Sequence, residues 1–188
     1  MVQTDLIVED DRNIRTVMAD PPWASARGGG QSTRGAQRHY DLLGRREIVH
    51  AIQYDCPAWG RLAESAHLYL WTTNAALADG SAHFVSRRLG FEPKTLITWA
   101  KKTESGADDI GLGQYFRHCT EQVLFCRRGE YMETGAKHTT LLEAETGAHS
   151  ERPAKIYDII EDSSPGAYLE LFARRGRPGW NSWGDQLD

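Results

Sequence analysis

A chain of 188 residues carries 22 Lys and Arg against 26 Asp and Glu, a net charge of −4 that excludes a broadly basic nucleic-acid coat. Its 40% hydrophobic and 10% aromatic content supports a buried core and excludes disorder. No apolar run approaches bilayer length, and the acidic residues 1–11 lack the apolar stretch of a secretory leader, so a cytoplasmic location with no membrane contact is expected.

Ile14–Ala19 is a β-branched run that reads as a strand and ends at Asp20-Pro21-Pro22. Residues 42–53 place apolar side chains at Leu42, Leu43, Ile48, Val49 and Ile52, a helical stripe. Residues 67–73 form a second predicted strand, and Asn74 is positioned to cap a helix that ends near Gly90. Residues 94–100 and 121–127 read as two more strands separated by a polar, glycine-containing loop, and residues 138–142 as another short one. Ser150 precedes a predicted helix with Pro153 in its first turn, continuing through Ile156, Ile159 and Ile160. The last predicted strand, residues 167–173, opens onto a segment rich in Arg, Gly and Pro.

Strands alternating with helices predict an α/β fold, a mostly parallel sheet with helices on both faces, in a single domain over residues 1–188. Ligands gather outside the carboxyl ends of such strands. The first and last predicted strands both end in chemically unusual sequence, Asp20-Pro21-Pro22-Trp23 and Ala173-Arg174-Arg175-Gly176-Arg177. Cys56, Cys119 and Cys126 match no zinc spacing and read as reduced thiols, and the histidines offer no i, i+4 pair, so no metal site is predicted.

Asp20-Pro21-Pro22-Trp23 has a chemical logic beyond that of a rigid turn. The exocyclic amine of adenine is a poor nucleophile, because its lone pair is delocalised into the ring. The Asp20 carboxylate and Pro21 carbonyl form an acceptor pair that can hold both amine protons and favour a pyramidal nitrogen. Two prolines stiffen that geometry before a substrate arrives. Trp23 can stack on a flipped base, a contact worth roughly 1–3 kcal/mol.

The motif and much of the chain after it resemble the adenine-N6 methyltransferase family named after the seventy-kDa subunit of the mRNA methyltransferase. The resemblance runs in one consistent order through Tyr40-Asp41-Leu42, Leu70-Trp71-Thr72-Thr73-Asn74, Gly90-Phe91 and Ile97-Thr98-Trp99-Ala100-Lys101. It continues through Gly111-Leu112-Gly113, Arg117, Glu121, His149-Ser150-Glu151-Arg152-Pro153 and Tyr157. Glu170-Leu171-Phe172-Ala173-Arg174, Gly179-Trp180 and Trp183-Gly184-Asp185-Gln186 close it. What it implies is a Rossmann-like, SAM-dependent methyltransferase sheet in permuted order, catalytic half first and SAM half last. Asp20, Pro21, Pro22 and Trp23 would hold the target base and flank the methyl donor. Arg152, at a position where the family carries Lys, would reach the SAM carboxylate, and a guanidinium there can bind it in bidentate form. Phe172 and Arg174 would contact the SAM ribose, as would Asp185 and Gln186; Asp185 replaces an Asn common in eukaryotic members. Trp71, Trp99, Trp180 and Trp183 read as packing residues.

The acidic total conceals local basic segments. Arg27, Arg34, Arg38, Arg45 and Arg46 follow the catalytic turn, around Gly28-Gly29-Gly30, and Tyr40 lies among them. With Lys101 they are the candidates for substrate contact, and Arg87-Arg88, Lys101-Lys102, Arg127-Arg128 and Arg174-Arg175-Arg177 extend the set. Nucleic acid is the expected partner, with DNA favoured over RNA, bound in a strongly salt-dependent way and with the base flipped or single-stranded. Sequence choice falls to residues 24–39 and 103–117, or to a second copy or specificity partner. An RNA adenine methyltransferase and a catalytically silent nucleic-acid-binding scaffold are the alternatives; an intact Asp20–Trp23 turn argues against the silent one.

Overall fold

The structure, a computed structural model, describes residues 5–8, 12–24, 42–113, 115–130, 134–135, 138–147, 151–185 and 187. Its centre is β2 (Ile14–Ala19), in which every residue but Arg15 is buried. Only a strand covered on both faces can bury such a run, and β2 pairs in parallel with β3 (Leu62–Thr72) on one side and β7 (Tyr168–Leu171) on the other. The remaining strands are β1 (Asp5–Ile7), β4 (Glu92–Lys102), β5 (Thr120–Arg128), β6 (Leu141–Glu145) and β8 (Trp180–Gly184), in the order β1-β8-β7-β2-β3-β5-β4-β6. Among these, β1 and β5 run against the others, so the mostly parallel α/β sheet expected from the pattern is present. Strand β5 is reversed because β4 reaches it through a hairpin loop instead of a crossover helix.

Several boundaries differ from the sequence expectation for identifiable reasons. The helix expected over residues 42–53 is α1 (Arg45–His50), entered at Gly44, whose amide donates to the Glu47 carboxylate at 2.6 Å, and prolonged by a π-turn at Ala51–Asp55. The helix expected to run to Gly90 is two pieces, α2 (Asn74–Ala78) and α3 (Ser81–Arg88), because Gly80 takes a left-handed φ of +79° between them. Thr73, not Asn74, caps α2: its hydroxyl accepts from the Ala76 amide at 3.1 Å, while the Asn74 side chain bonds Thr120 and Gln122. Pro153 lies just outside α4 (Lys155–Ser163). Strand β6 begins three residues later than 138, and a short 3-10 turn at Pro57–Arg61 had no periodic signal. The edge strand β1 and its neighbour β8 were not expected at all; β8 is fully buried although Asn181 and Ser182 interrupt its apolar pattern.

Strand alternation sends side chains to two different cores. Leu68 and Leu70 join an aliphatic cluster with Val17, Ile48 and Ile52 from the α1 side and Val85 and Leu89 from α3. Tyr69 and Trp71 point the other way, into an aromatic cluster with Trp99, Trp180 and the Ile156, Ile159 and Ile160 stripe of α4. Helices therefore cover both faces. The four tryptophans read as packing residues are all buried. Cys56 and Cys126 are buried free thiols whose pKa burial pushes up to about 11 and about 12. No helix among the described residues is long and apolar enough to cross a membrane.

Candidate active site

The parallel strands deliver their carboxyl ends to one rim. Asp20 follows β2 there, Phe172 follows β7, Asp185 follows β8, and Lys101 and Lys102 end β4. Reversed β5 brings its amino end to the same rim, with Glu121 opposite Trp99. Arg152, which lies between β6 and α4 in the chain, is at the same rim, on Asp20 and Glu121.

Asp20-Pro21-Pro22-Trp23 is held by backbone bonds on every side. The Trp23 amide donates to the Pro21 carbonyl at 2.9 Å, and the Leu43 amide to the Pro22 carbonyl at 2.8 Å. The Ala24 amide donates to the Leu43 carbonyl at 2.9 Å. Pro21 therefore keeps one lone pair for a ligand. The Trp23 indole donates to the Trp71 carbonyl at 2.9 Å and packs half-buried on the aliphatic cluster, so its contacts here are those of a ring that closes the core edge.

An alternating line of charge crosses the rim. Arg152 donates from Nε to Asp20 Oδ2 at 2.9 Å and from Nη2 to Asp20 Oδ1 at 2.7 Å. Its Nη1 donates to Glu121 Oε2, and the other Glu121 oxygen accepts from Lys101 Nζ. All four side chains are mostly shielded, between 14% and 21% exposed. Burial alone would make the Arg152 guanidinium less basic, but Asp20 and Glu121 more than reverse this, so it stays charged. The aromatic core forms the floor: Arg152 lies 4.7 Å over the Trp71 ring and Lys101 5.0 Å over that of Trp99. Those rings meet edge-on at 6.0 Å.

Beside Asp20, β7 supplies a second carboxyl. Glu170 Oε1 accepts from the Tyr157 hydroxyl at 3.0 Å, while buried Oε2 has no partner among the described residues. Burial raises its pKa to about 7, helped by the nearby Asp20 charge and opposed by the Tyr157 bond, Arg177 and Arg174. Phe172, the next residue but one, sits at φ +62°, a left-handed conformation uncommon for so large a side chain, with its ring edge-on to Trp183 at 5.6 Å. The ends of β7 and β8 are pressed together there: a Cβ on Gly184 would lie 2.0 Å from the Ala173 carbonyl oxygen. Half-buried Arg174 and exposed Asp185 flank this junction. These residues suit a small cationic amino acid–nucleoside. Arg152 matches a carboxylate, and the orphaned Glu170 oxygen matches sugar hydroxyls.

The structure thus brings together Asp20, Pro21, Pro22, Trp23, Arg152, Phe172, Arg174, Asp185 and Lys101 along one rim. Lys101 is engaged by Glu121 and is not a free cation facing solvent. Tyr40, Arg27, Arg34, Arg38 and Gln186 lie outside the described residues. Arg127 and Arg128, at the carboxyl end of β5, stand opposite His67 and Ala66 of β3, and Arg87 and Arg88 end α3 ahead of β4. Both pairs belong to the far end of the sheet and do not join the site. Glu121 and Glu170 were not singled out from the sequence for any role. For Glu170 the signal was a carboxylate between Leu169 and Leu171, which calls for a partner when buried; Glu121, between Thr120 and Gln122, carried no such signal.

Comparison with known proteins identifies one matching family profile, MT-A70, over residues 14–186. The N6-methyladenosine RNA methyltransferase MTA1 of Cryphonectria parasitica is 32% identical over 182 residues, covering 91% of this chain and 51% of that protein. The Type II methyltransferase M.MunI of a Mycoplasma species is 28% identical over 196 residues, covering 94% of this chain and 78% of that protein. The human N(6)-adenosine-methyltransferase catalytic subunit METTL3 is 28% identical over 182 residues, 92% of this chain and 28% of its own length. The chain spans about half the length of the MTA1 relative.

Proposed function

Because the chain belongs to the MT-A70 family of N6-adenine methyltransferases, we propose that it transfers a methyl group from SAM to the exocyclic amine of adenine in DNA. The observation that carries this reading is Asp20 at the carboxyl end of the central strand, in a turn pinned by three backbone hydrogen bonds and flanked by a guanidinium and an orphaned carboxyl.

Asp20 and the free lone pair of Pro21 accept the two amine protons, directing the nitrogen lone pair at the donor. When bound, SAM supplies an electrophilic methyl group on a sulfonium. Arg152 would hold its carboxylate, and Glu170, Phe172, Arg174 and Asp185 would face its ribose, with Gln186 the further ribose contact that the family resemblance implies. Asp20 orients the amine and stabilises the positive charge that the nitrogen would gain on methylation, and the surplus amine proton would pass to solvent, so Asp20 need not act as a strong base. The site is closed on the protein side by Trp71 and Trp99, so these charges act away from bulk water. The whole acts as a single cytoplasmic catalytic domain, with sequence choice drawn from its loops or from a partner.

DNA is supported by the match to the type II methyltransferase, most of which the chain covers. RNA is the second reading, favoured by the higher identity to the fungal RNA enzyme. Labelled SAM offered with duplex DNA, single-stranded DNA and RNA decides between them, with a product digest to locate the methyl group. Label on none of the three, or equal labelling by Asp20→Ala, would sink the mechanism, and loss of SAM binding would instead mark a silent scaffold.

A further inference from the structure

Two side chains assigned to different ligands occupy each other. Asp20, the proposed acceptor of the amine, has both oxygens on Arg152; Arg152, the proposed holder of the SAM carboxylate, has its Nε and Nη2 on Asp20. A guanidinium edge presents two parallel N–H groups, and one carboxylate fills it. A second carboxylate arriving at that edge competes with Asp20.

Arg152 can change partner without leaving the site. Its Nη1 is tied to Glu121, its face rests on Trp71, and neither contact involves Asp20. Glu121 is steadied in turn by Lys101. Turning Arg152 off Asp20 with nothing in exchange would leave two shielded charges incompletely paired, which is strongly unfavourable. An incoming carboxylate changes that balance. Arg152 then trades one anion for another, and Asp20 is left needing a donor, which is what an exocyclic amine provides.

We infer that Arg152 is a latch on the catalytic carboxylate, pivoting on Glu121 and Trp71, and that a cofactor carboxylate opens it, so that the base engages Asp20 only after the cofactor is in place. This rests on the function proposed above and adds a direction to it: cofactor and base bind with positive, reciprocal coupling. Glu121 is a positioning residue in this scheme, touching neither ligand. Arginine at position 152 is essential to it, since a lysine ammonium has no edge with which to grip both oxygens of Asp20.

The test is binding to a fluorescent single-stranded DNA carrying dA, and to the same strand with purine, which lacks the 6-amino group, at those positions. Each is titrated with no ligand, with saturating S-adenosylhomocysteine, and with saturating 5′-methylthioadenosine, which lacks the amino-acid carboxylate. S-adenosylhomocysteine is expected to tighten the dA strand about tenfold, within the usual span of coupling strengths. Methylthioadenosine, the purine strand and Arg152→Lys are each expected to show about twofold or less on the same scale. Equal tightening by the two ligands, equal tightening of both strands, or undiminished coupling in Arg152→Lys would overturn the latch. Methyl transfer from labelled SAM, run alongside, separates the two claims. Transfer without carboxylate-dependent coupling overturns the latch alone, whereas no transfer and no S-adenosylhomocysteine binding overturns both.

Discussion

The two faces of the sheet are built from different chemistry, and the difference shows why the site lies where it does. On one face Leu68 and Leu70 meet the aliphatic side chains of α1 and α3. On the other, one residue along the same strand, Tyr69 and Trp71 meet Trp99, Trp180 and α4. The first face is mainly aliphatic, and its rings Phe84 and Phe91 take Arg45 and Arg128, neither of which belongs to the Asp20–Arg152–Glu121–Lys101 line. Aromatic packing buries comparable area and also presents ring faces, and a cation held on a desolvated ring gains about 2 kcal/mol. Arg152 and Lys101 both rest on that aromatic floor. One face holds the protein together, and the other does so while carrying the charges that the chemistry needs.

The largest effect expected to sharpen this contrast is at Asp20. Asp20→Ala removes the acceptor and lowers kcat by about 10²–10³-fold, the loss typical of one preorganised electrostatic group; single-turnover transfer of labelled methyl measures it. On the aliphatic face, Leu68→Ala costs about 2–5 kcal/mol of stability, read as a shifted urea midpoint, with kcat close to wild type at temperatures where the variant is folded. If Leu68→Ala slows transfer as much as Asp20→Ala does, the two faces are not functionally distinct.

Glu170 gives a pH-dependent test. Its carboxyl has a pKa near 4.5 when unfolded, raised to about 7 in the fold by burial. The native state therefore holds a proton that the unfolded chain gives up, and the stability this contributes is complete below 4.5 and lost as pH rises through about 7. The fall amounts to roughly 3 kcal/mol at most. Glu170→Gln should flatten it, and denaturant midpoints at pH 5 and pH 8 compare the two slopes. A Glu170→Gln curve parallel to wild type would show that this carboxyl is not the titrating group. The smallest effect belongs to the floor itself: Trp71→Leu keeps the site apolar but removes the ring under Arg152, and is expected to raise the KM for SAM about tenfold or less. An unchanged KM would mean that the ring only packs.

Much of the fold was legible wherever side-chain pattern and secondary structure coincide. The strand at Ile14–Ala19 appears with those bounds because a β-branched, mostly apolar run, broken only by the outward-facing Arg15 and by Thr16, has few other uses. Strand β8 was not legible, because Asn181 and Ser182 break the pattern and only the surrounding sheet buries them. The helix expected to reach Gly90 was read through Gly80, whose left-handed φ is a property of the folded turn and leaves no mark on periodicity. At the site, Asp20-Pro21-Pro22-Trp23 stood out as a local word. Glu121 and Glu170 did not, because a carboxylate in a strand acquires its meaning from what faces it.

The sequence by itself determined the alternating α/β pattern, the rigid acceptor turn and its place at the end of a buried strand, all of which depend on neighbours within a few residues. Only the tertiary structure decided which charges belong to that turn. Arg152 meets Asp20 across 132 residues because the strands that precede them, β6 and β2, run in the same direction and end at the same rim. The pairs Arg87-Arg88 and Arg127-Arg128, no less basic as sequence, are carried to the opposite end by the direction of α3 and β5. Charge acts through distance in space, and in a sheet that distance is fixed by strand direction and order.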